Sequence, residues 1–304
     1  MNTYNLFFLY LSRTINLLFY FFSTMFWSYN KENETNISFL KNYQYKLMNK
    51  LGKKSKTTDT IRCCTWNIHH GYDAQRRFIL PQIIQYLKDM DFDIVFLQEV
   101  NNNTYKINDD TTQTISEYIA KILDMNVSAM GELTILSKFL ITDEIKHKTF
   151  YVTKNHSFGN HILCCNIKYT EKDEITCVNI HLNNDFTGYE QLEAIKGLDL
   201  DKLILSHKEN NKKLLVCGDF NAPRSFSVNS EMSQLFAQND ENIIVTYPTY
   251  YPIVGLDKVW LNETNTNQSI INLCSDNSNY YSDHIPLLFE IKLTHNISVP
   301  GFTS

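Results

Sequence analysis

The sequence predicts an α/β fold, and two observations support this. Short apolar, β-branched runs of strand length recur along the chain, and segments with the apolar spacing of helices lie between several of them. Several of the strand-like runs also end directly in carboxylate, amide or imidazole side chains. The first observation indicates a sheet that is packed against helices. The second indicates that polar groups gather at one edge of that sheet.

The predicted elements follow this pattern in order. Strands are expected at 61–68, 92–100, 132–137, 161–169, 175–181, 213–221, 255–261 and 285–293, where apolar residues form nearly continuous runs. Helices are expected at 78–90, 112–124 and 189–207. Pro81 fits the first turn of the first of these helices, where no backbone N–H is needed. Ile83, Ile84 and Leu87 would share its buried face.

The length of 304 residues and the 43% of hydrophobic residues suit one large globular domain with extensions. We expect a hydrophobic segment at 1–30, a polar linker at 31–58, the globular domain at 59–294 and a loose tail at 295–304. The linker carries a lysine cluster, interpreted as a solvated stretch or, alternatively, as a segment attracted to anionic lipid. A monomer is expected.

Residues 5–28 are almost entirely apolar, with Arg13 as their one charge. Three interpretations remain open: a signal-anchor or short membrane helix, a cleaved secretory signal, or an extension without structural consequence. The first would bring the protein to a membrane. The uninterrupted apolar stretch is shorter than the roughly 20 residues of a spanning helix, and the charge would lie inside any longer one.

The charge and cysteine content exclude some function classes. The formal net charge of -5 argues against a broad non-specific nucleic-acid binder, so any such contact would be local. The seven cysteines include no CxxC pair, and most lie in apolar runs. They are therefore expected to be buried, reduced thiols and neither a zinc site nor a disulfide framework.

The polar strand ends carry the chemistry. Distant residues of this kind share one pocket when strand tips converge on one edge. Carboxylate oxygens are the ligands that Mg²⁺ prefers, amides orient a ligand or a water, and an imidazole beside a carboxylate serves as a base or as a phosphate contact. The candidates are Asn67, His69, His70, Gln98, Glu99, His181, Asp219, Asn221, Asp257, Ser282, Asp283 and His284.

The motifs are more specific in combination. TWNIHHG at 65–71, DIVFLQEV at 93–100, ILSKFLI at 135–141, VNIHL at 178–182, GDFNAP at 218–223, GLDKVW at 255–260 and YSDHIPLLFEI at 281–291 stand in the order and rough spacing of one family. The region 61–292 thereby resembles the endonuclease/exonuclease/phosphatase superfamily, the group similar to DNase I. The resemblance implies a four-layered α/β sandwich of two packed mixed sheets flanked by helices.

The resemblance also implies roles for single residues. Asn67, Glu99 and Asp283 are expected to hold or adjoin a divalent metal, Mg²⁺ or alternatively Mn²⁺. His284 is expected to be the catalytic imidazole, oriented by Asp257. The remaining expectations are that Asp219 and Asn221 position the attacking water or the scissile phosphate, and that His181 contacts the phosphate or assists the leaving group.

Some positions depart from the family pattern. His69 stands where DNA-repair members often have an acidic residue. TWN and FLQEV also resemble tyrosyl-DNA phosphodiesterases, but Ala222, Pro223 and Arg224 do not continue that likeness. A basic residue that many relatives carry is absent from NHSFGNH at 155–161, so a phosphate contact is missing or replaced by histidine. His69 and His70 are expected either to line the pocket or, for His70, to cap the next loop.

The resemblance implies a metal-dependent phosphoesterase, and two substrate classes stay open. The first is a phosphodiester in nucleic acid, which the frequency of such substrates in the family favours, with Arg76, Arg77, Arg224 and Lys258 as candidates for a basic groove. The second is a lipid head group or an inositol phosphate, which the apolar sequence of 5–28 favours. A non-catalytic binding relative is disfavoured by the completeness of the polar set.

Overall fold

A computed structural model of the chain describes residues 60–101, 105–108, 111–142, 146–151, 160–185, 187–238, 244–262, 270–275 and 281–293. The hydrophobic segment, the linker and the tail that the sequence predicts lie outside these ranges. Within them, none of the helices combines the length and the apolar character that a bilayer crossing requires.

The strands in chain order are β1 Thr60–Asn67, β2 Ile94–Gln98, β3 Tyr105–Asn108, β4 Thr111–Gln113, β5 Asn126–Met130, β6 Leu133–Ser137, β7 Leu140–Ile141, β8 Lys146–Phe150, β9 Asn160–Lys168, β10 Glu174–His181, β11 Leu214–Asp219, β12 Asp257–Leu261, β13 Ile270–Ser275 and β14 Leu287–Lys292. The helices are α1 Leu80–Met90, α2 Ile115–Leu123, α3 Tyr189–Gly197, α4 Leu200–Glu209 and α5 Ser227–Phe236.

Two mixed sheets form the centre of the domain. The first has the order β13-β14-β1-β2-β6-β5, and the second has the order β12-β11-β10-β9-β7 with β8 paired to β9. In each sheet one central pair is parallel, β1 with β2 and β10 with β11, while the other pairs are antiparallel. The carboxyl ends of these two parallel pairs define what we call the site end of the sheets.

Three apolar clusters show that the layers stack as helix, sheet, sheet, helix. One cluster lies between the sheets and includes Phe96 and Phe289 from the first sheet and Leu215 from the second. A second packs α1 and α2 against the outer face of the first sheet, and a third packs α3, α4 and α5 against the outer face of the second. The predicted four-layered α/β sandwich is therefore confirmed.

The cysteines behave as small apolar residues. Six are buried, Cys274 is partly buried, and all are free thiols. Cys63, Cys165, Cys177 and Cys217 belong to the cluster between the sheets. The expectation that the cysteines are buried is confirmed for these six.

A buried amide pair joins the two sheets just below the site end. Gln98 Nε2 donates to Asn179 Oδ1 at 2.7 Å, and Asn179 Nδ2 donates to the carbonyl oxygens of Leu97 at 2.8 Å and Thr134 at 3.0 Å. Unmade hydrogen bonds of buried amides are costly, so this pair favours one register between the sheets. Gln98, a candidate site residue from the sequence, instead lies fully buried in this contact.

Gly218 explains why the GDFN motif begins with glycine. Its φ is 141°, and a Cβ atom there would lie 2.0 Å from the carbonyl oxygen of Ile180 on β10. Only glycine allows β11 to approach β10 this closely, so Gly218 sets the position of Asp219 that follows it.

Each predicted strand has a counterpart in the structure, with its ends shifted by a few residues. Two of the predicted helices differ more from the structure. The single helix expected at 189–207 is wrong, because the chain forms α3 and α4 with a break at Asp199, whose φ is 56°. Gly197 lies just before this break, where the Phe150 ring occupies the space that a side chain would need. Thr112, expected to begin the second helix, lies in β4, and α2 instead begins after Thr114, whose side chain forms a capping box with Glu117.

Candidate functional site

The site end brings the predicted polar residues of both sheets together. Asn67 ends β1, Glu99 follows β2, His181 ends β10 and Asp219 ends β11. Glu99 has a φ of 54° and Asn221 has a φ of 45°. Both values lie in the left-handed region, which residues other than glycine rarely adopt. Such backbone conformations cost energy and often mark functional sites, where they turn side chains away from the strand direction.

A single row of directly opposed residues crosses the site end of the second sheet. Thr149 pairs with His161, His161 with His181, His181 with Asp219, and Asp219 with Asp257, on strands β8 to β12. Directly opposed residues project from the same face of a sheet. We call these five residues the cross-strand row, and it explains how residues so distant in sequence meet.

Asn67 connects the two sheets through one side-chain nitrogen. Its Nδ2 donates to Glu99 Oε1 at 2.9 Å and to Asp219 Oδ2 at 3.0 Å. Its Oδ1 accepts a hydrogen bond from the backbone N–H of His69 at 3.0 Å. Asn67 thus orients both carboxylates. For its oxygen to coordinate a metal, the side-chain amide would have to flip so that Oδ1 and Nδ2 exchange places.

Asp257 and His284 form a buried carboxylate–imidazole pair, as the sequence predicts. His284 Nδ1 lies 2.9 Å from Asp257 Oδ2, and His284 Nε2 lies 3.6 Å from Asp219 Oδ2. Burial, the largest influence, disfavours the imidazolium, but the charges of Asp257 and Asp219 and the hydrogen bond to Asp257 raise the pKa of His284 well above its usual value. The Tyr247 ring packs 5.0 Å from the His284 ring, measured between centroids.

A second carboxylate–imidazole pair was missed by the sequence reasoning. His181 Nδ1 lies 2.5 Å from Oε1 of Glu132, which stands in the turn between β5 and β6. Burial opposes protonation of His181, but the hydrogen bond and charge of Glu132, with the charges of Asp219 and Glu99, raise its pKa to about 9. Glu132 belongs to no recognisable motif, so only the three-dimensional contact identifies it.

The two pairs face each other across Asp219. Asp219 Oδ2 lies 3.6 Å from His284 Nε2 and 3.8 Å from His181 Nε2, while its Oδ1 accepts the backbone N–H of Asn221 at 2.8 Å. Burial, reinforced by Asp257, raises the pKa of Asp219 despite the lowering effect of the two histidines and the Asn67 hydrogen bond. Asp219 is therefore the centre of the site.

Asn221 borders the site beside His181. Its Nδ2 lies 3.4 Å from His181 Nε2 and donates to the carbonyl oxygen of Leu182 at 2.9 Å. Gln191 donates to the carbonyl oxygen of Asn221 at 3.0 Å. This contact fixes the loop after β11 against the start of α3.

His69, His70 and Asp283 form the more exposed side of the site. His70 Nε2 lies 3.5 Å from Glu99 Oε2, and His69 Nδ1 lies 4.0 Å from Asp283 Oδ1. Ser282 Oγ donates to the carbonyl oxygen of Asn67 at 2.7 Å and contacts Asp283 Oδ1 at 3.3 Å. Both histidines therefore line the pocket, and Ser282 links Asp283 to β1.

The region that lacks the family's basic residue is only partly described. His156 lies outside the described residues. Asn160 is buried, accepts the backbone N–H of Asn183 at 2.8 Å and donates to the carbonyl oxygen of Phe150, so it supports the loops. His161 belongs to the cross-strand row beside His181, with its Nδ1 3.0 Å from Thr149 Oγ1.

Two groups of residues offer oxygen donors to a cation. Glu99 and Asp283 have side chains 22% and 25% exposed, so a hydrated ion reaches them. Asp219, Asp257 and His284 place donor atoms within 4.8 Å of one another, but His284 Nδ1 and Asp257 Oδ2 already bond to each other. Asp257 Oδ1 is buried without a hydrogen-bond partner among the described residues. The oxygen-rich donor set fits a hard divalent cation, and Glu99 and Asp283 are its accessible members.

The family model for the Endonuclease/Exonuclease/phosphatase family matches residues 64–284, well over half of the chain. The chain therefore belongs to the endonuclease/exonuclease/phosphatase family. Members of this family are hydrolases of phosphoesters and generally depend on a divalent metal.

Individual proteins resemble the chain at lower identity. The uncharacterized protein YbhP of Escherichia coli K12 is 25% identical over 254 residues, covering 77% of this chain and 97% of YbhP. The mannosyl-6-phosphatase Bt3783 of Bacteroides thetaiotaomicron has 16% identity and a TM-score of 0.56, covering 76% of this chain and 99% of Bt3783. Truncated Caenorhabditis elegans TDP2 has 17% identity and a TM-score of 0.52, covering 77% and 98%. The two solved structures support the fold.

The Glu132–His181 pair generates a first prediction. In chelator-treated protein, Glu132→Gln should lower the pKa of His181 by at least about one unit. Burial lowers this pKa, and only the charges of Asp219 and Glu99 would then remain to raise it. The protonated His181 stabilises the fold fully below its unfolded pKa of about 6.5. That contribution is lost as the pH rises through about 9. NMR titration of the imidazole signals measures the shift.

Glu174→Gln is the matched control, because Glu174 begins β10 at the end opposite His181. It should leave the His181 titration unchanged. The destabilisation by Glu132→Gln should also shrink between pH 6.5 and pH values above about 9, as chemical denaturation measures. An unaltered His181 titration in Glu132→Gln would contradict the pairing.

Proposed function

We propose that this protein hydrolyses a phosphodiester by direct attack of water, with a divalent metal bound at Glu99. The observation that carries this proposal is the arrangement of two carboxylate–imidazole pairs on either side of Asp219, with both Nε2 atoms within 4 Å of Asp219 Oδ2. Hydrolysis of such an ester needs one group that accepts a proton from water and another that gives a proton to the leaving oxygen. The two imidazoles supply these groups from opposite sides.

Glu99 is the proposed principal ligand of the cation, with Asp283 beside it and Asn67 holding the Glu99 carboxylate in place. When bound, Mg²⁺ or Mn²⁺ would neutralise negative charge on the phosphoryl and leaving oxygens and would lower the pKa of neighbouring acids. His70, 3.5 Å from Glu99 Oε2, lies on the outer side of this carboxylate.

His284 is the proposed proton acceptor and His181 the proposed proton donor. Asp257 holds His284 Nδ1, so Nε2 is the atom that receives the proton of the attacking water as the new P–O bond forms. This step uses the neutral form of His284, which a rise in pH populates because the neighbouring carboxylates raise the pKa of this imidazole. Glu132 favours the protonated form of His181, which gives its Nε2 proton to the leaving oxygen as the old P–O bond breaks. Asp219 and Asn221 lie between these groups and position the water and the phosphate.

Nucleic acid is one proposed substrate class. It would need cationic side chains beside the pocket to bind the phosphates that flank the scissile one. Arg76 and Arg224 are exposed, and the Arg77 side chain is exposed but forms an ion pair with Asp73 at 2.6 Å. Lys258 is buried, and strand alternation places it on the face of β12 opposite Asp257, so it does not fit the groove that the sequence predicted.

A lipid head group is the second proposed substrate class. The observation that favours it is the exposure of aromatic side chains in loops around the pocket, among them Tyr72, Phe78 and Tyr251. Rings of this kind fit the boundary between lipid and water, where one part of the side chain is apolar and another is polar.

The direct test is hydrolysis by the full chain with Mg²⁺ and with EDTA. The panel holds plasmid DNA, single-stranded DNA, RNA, a 5′-tyrosyl oligonucleotide, inositol phosphates and sphingomyelin vesicles. We expect cleavage of one class with Mg²⁺ and none with EDTA. Glu99→Gln should bind Mn²⁺ at least about 10- to 100-fold more weakly by calorimetry, the loss typical even of residues that only support a metal ligand, and it should lose turnover with it.

Glu171→Gln is the control for this variant, because Glu171 is exposed in the turn between β9 and β10, away from the site end. It should retain both metal affinity and turnover. A Glu99→Gln protein with unaltered melting temperature and unaltered turnover would refute the proposed site.

The proton roles of the two histidines are separable by the leaving group. Substitution of either by alanine should slow hydrolysis of an unsubstituted phenyl phosphodiester by roughly 10²- to 10⁴-fold. A p-nitrophenolate leaves without a proton, so the matching p-nitrophenyl ester should restore much of the rate to His181→Ala but not to His284→Ala. Steady-state rates on the two esters measure this, and equal restoration in both variants would contradict the assignment.

A further inference from the structure

Exposed apolar side chains concentrate at the site end of the molecule. Among the residues that the structure describes, nine large apolar side chains are exposed. Six of them come from loops, strand ends or the start of α3 at the site end: Tyr72, Phe78, Met130, Tyr151, Tyr189 and Tyr251. Single exposed apolar residues are ordinary on a protein surface, but their gathering around one opening indicates an interaction surface.

Two loops form the central part of this surface, and we call them together the rim: Tyr72–Phe78 and Tyr247–Val254. The first is closed by a β-bridge between Tyr72 and Phe78, whose rings lie 5.4 Å apart, and by Asp73 Oδ1, which accepts the backbone N–H of Gln75 and of Arg77. These internal bonds hold the aromatic and arginine side chains of the loop outward.

The second loop of the rim is closed in the same way. Tyr247 forms a β-bridge with Val254, and its carbonyl oxygen accepts the backbone N–H of Ile253 and of Val254 at 3.0 Å. Tyr251 lies near the tip and is 69% exposed, the largest exposure among the large apolar residues described. Pro252 and Ile253 beside it are partly exposed.

The second loop contacts Asp283 directly, and the first loop approaches it through His69. Thr249, in the second loop, donates its backbone N–H to the Asp283 carbonyl oxygen at 2.9 Å. His69, 4.0 Å from the Asp283 carboxylate, leads directly into the first loop. A flat surface that touched the rim would therefore cover the mouth of the pocket.

The charges of the rim match an anionic surface. Asp73 is its one carboxylate, is 1% exposed and pairs with the exposed Arg77, while Arg76 is exposed and the second loop has no charged residue, so the rim carries a net positive charge. Tyrosine and arginine are the side chains that suit a lipid head-group layer, and aliphatic groups such as Ile253 enter its acyl boundary. Single-stranded nucleic acid also binds to aromatic rings and cationic side chains, so it is the competing occupant that the test includes.

We propose that the rim docks the protein on an anionic phospholipid bilayer, with the pocket opening onto the lipid head groups. Docking in this orientation places the phosphodiester of a lipid head group at the site end. The choice of the second substrate class follows from this placement, and that choice rests on the proposed function. The apolar sequence of 5–28 would then act as a separate attachment to the same surface.

The test reads the position of the rim itself and needs no turnover. Tyr251→Trp is made in the full chain with Trp27→Phe, which leaves Trp66 and Trp260, both buried, as the other indoles. The protein is mixed with phosphatidylglycerol/phosphatidylcholine vesicles whose acyl chains are either plain or brominated. Tyr118→Trp, on the exposed face of α2, is the matched control in the same background.

We expect the emission of the Tyr251→Trp protein to shift to shorter wavelength and to be quenched by brominated vesicles, while the Tyr118→Trp protein is unaffected. Adding Arg76→Gln should weaken the quenching on anionic vesicles more than on neutral ones. Equal emission with plain and brominated vesicles would overturn the proposal, and so would quenching by single-stranded DNA in place of vesicles. Absence of turnover on every ester would instead count against the proposed function and leave this result intact.

Discussion

One side-chain amide determines how the two halves of the site meet. The nitrogen of Asn67 donates to Glu99 on the first sheet and to Asp219 on the second, so the carboxylate proposed to bind metal and the carboxylate between the histidines share one donor. Asn67 is 1% exposed, and a buried donor of this kind is costly to leave unpaired. Any shift between the sheets would break one of its two bonds.

The register of the second sheet supplies the rest of the arrangement. The cross-strand row aligns His181, Asp219 and Asp257 without any contribution from loops, because directly opposed residues must share a face. The glycine at 218 allows the close approach of β11 to β10 that this alignment needs. Below the row, Gln98 and Asn179 bond across the two sheets. The proposed chemistry thus depends on backbone pairing more than on mobile parts.

Much of this arrangement could be predicted from the sequence, because the motifs carry it. Apolar runs that end in Asn67, Glu99, His181 and Asp219 predicted both the strands and the edge at which they converge, and the resemblance to a family supplied Asp257 as the partner of His284. Glu132 escaped prediction because a turn residue outside any motif gains its role only when β5 and β6 fold beside β10.

Other features depended on tertiary contacts that no local pattern reports. The break between α3 and α4 coincides with Gly197 under the Phe150 ring and with the left-handed Asp199, whereas the apolar spacing alone favoured one continuous helix. Gln98 looked like a site residue from its place at a strand end, yet it points between the sheets. The rim could be recognised only in the structure, because Tyr251 and Phe78 are far apart in sequence.

The most direct measurement is anomalous diffraction from crystals of the protein soaked in Mn²⁺. The proposed function predicts a single strong peak within about 2.0–2.3 Å of a Glu99 carboxylate oxygen, with Asp283 beside it and the Asp257–His284 hydrogen bond intact. A peak enclosed by Asp219, Asp257 and His284, with that hydrogen bond broken, would contradict the assignment of His284 as the proton acceptor. No peak at either place would contradict the metal-dependent mechanism as a whole.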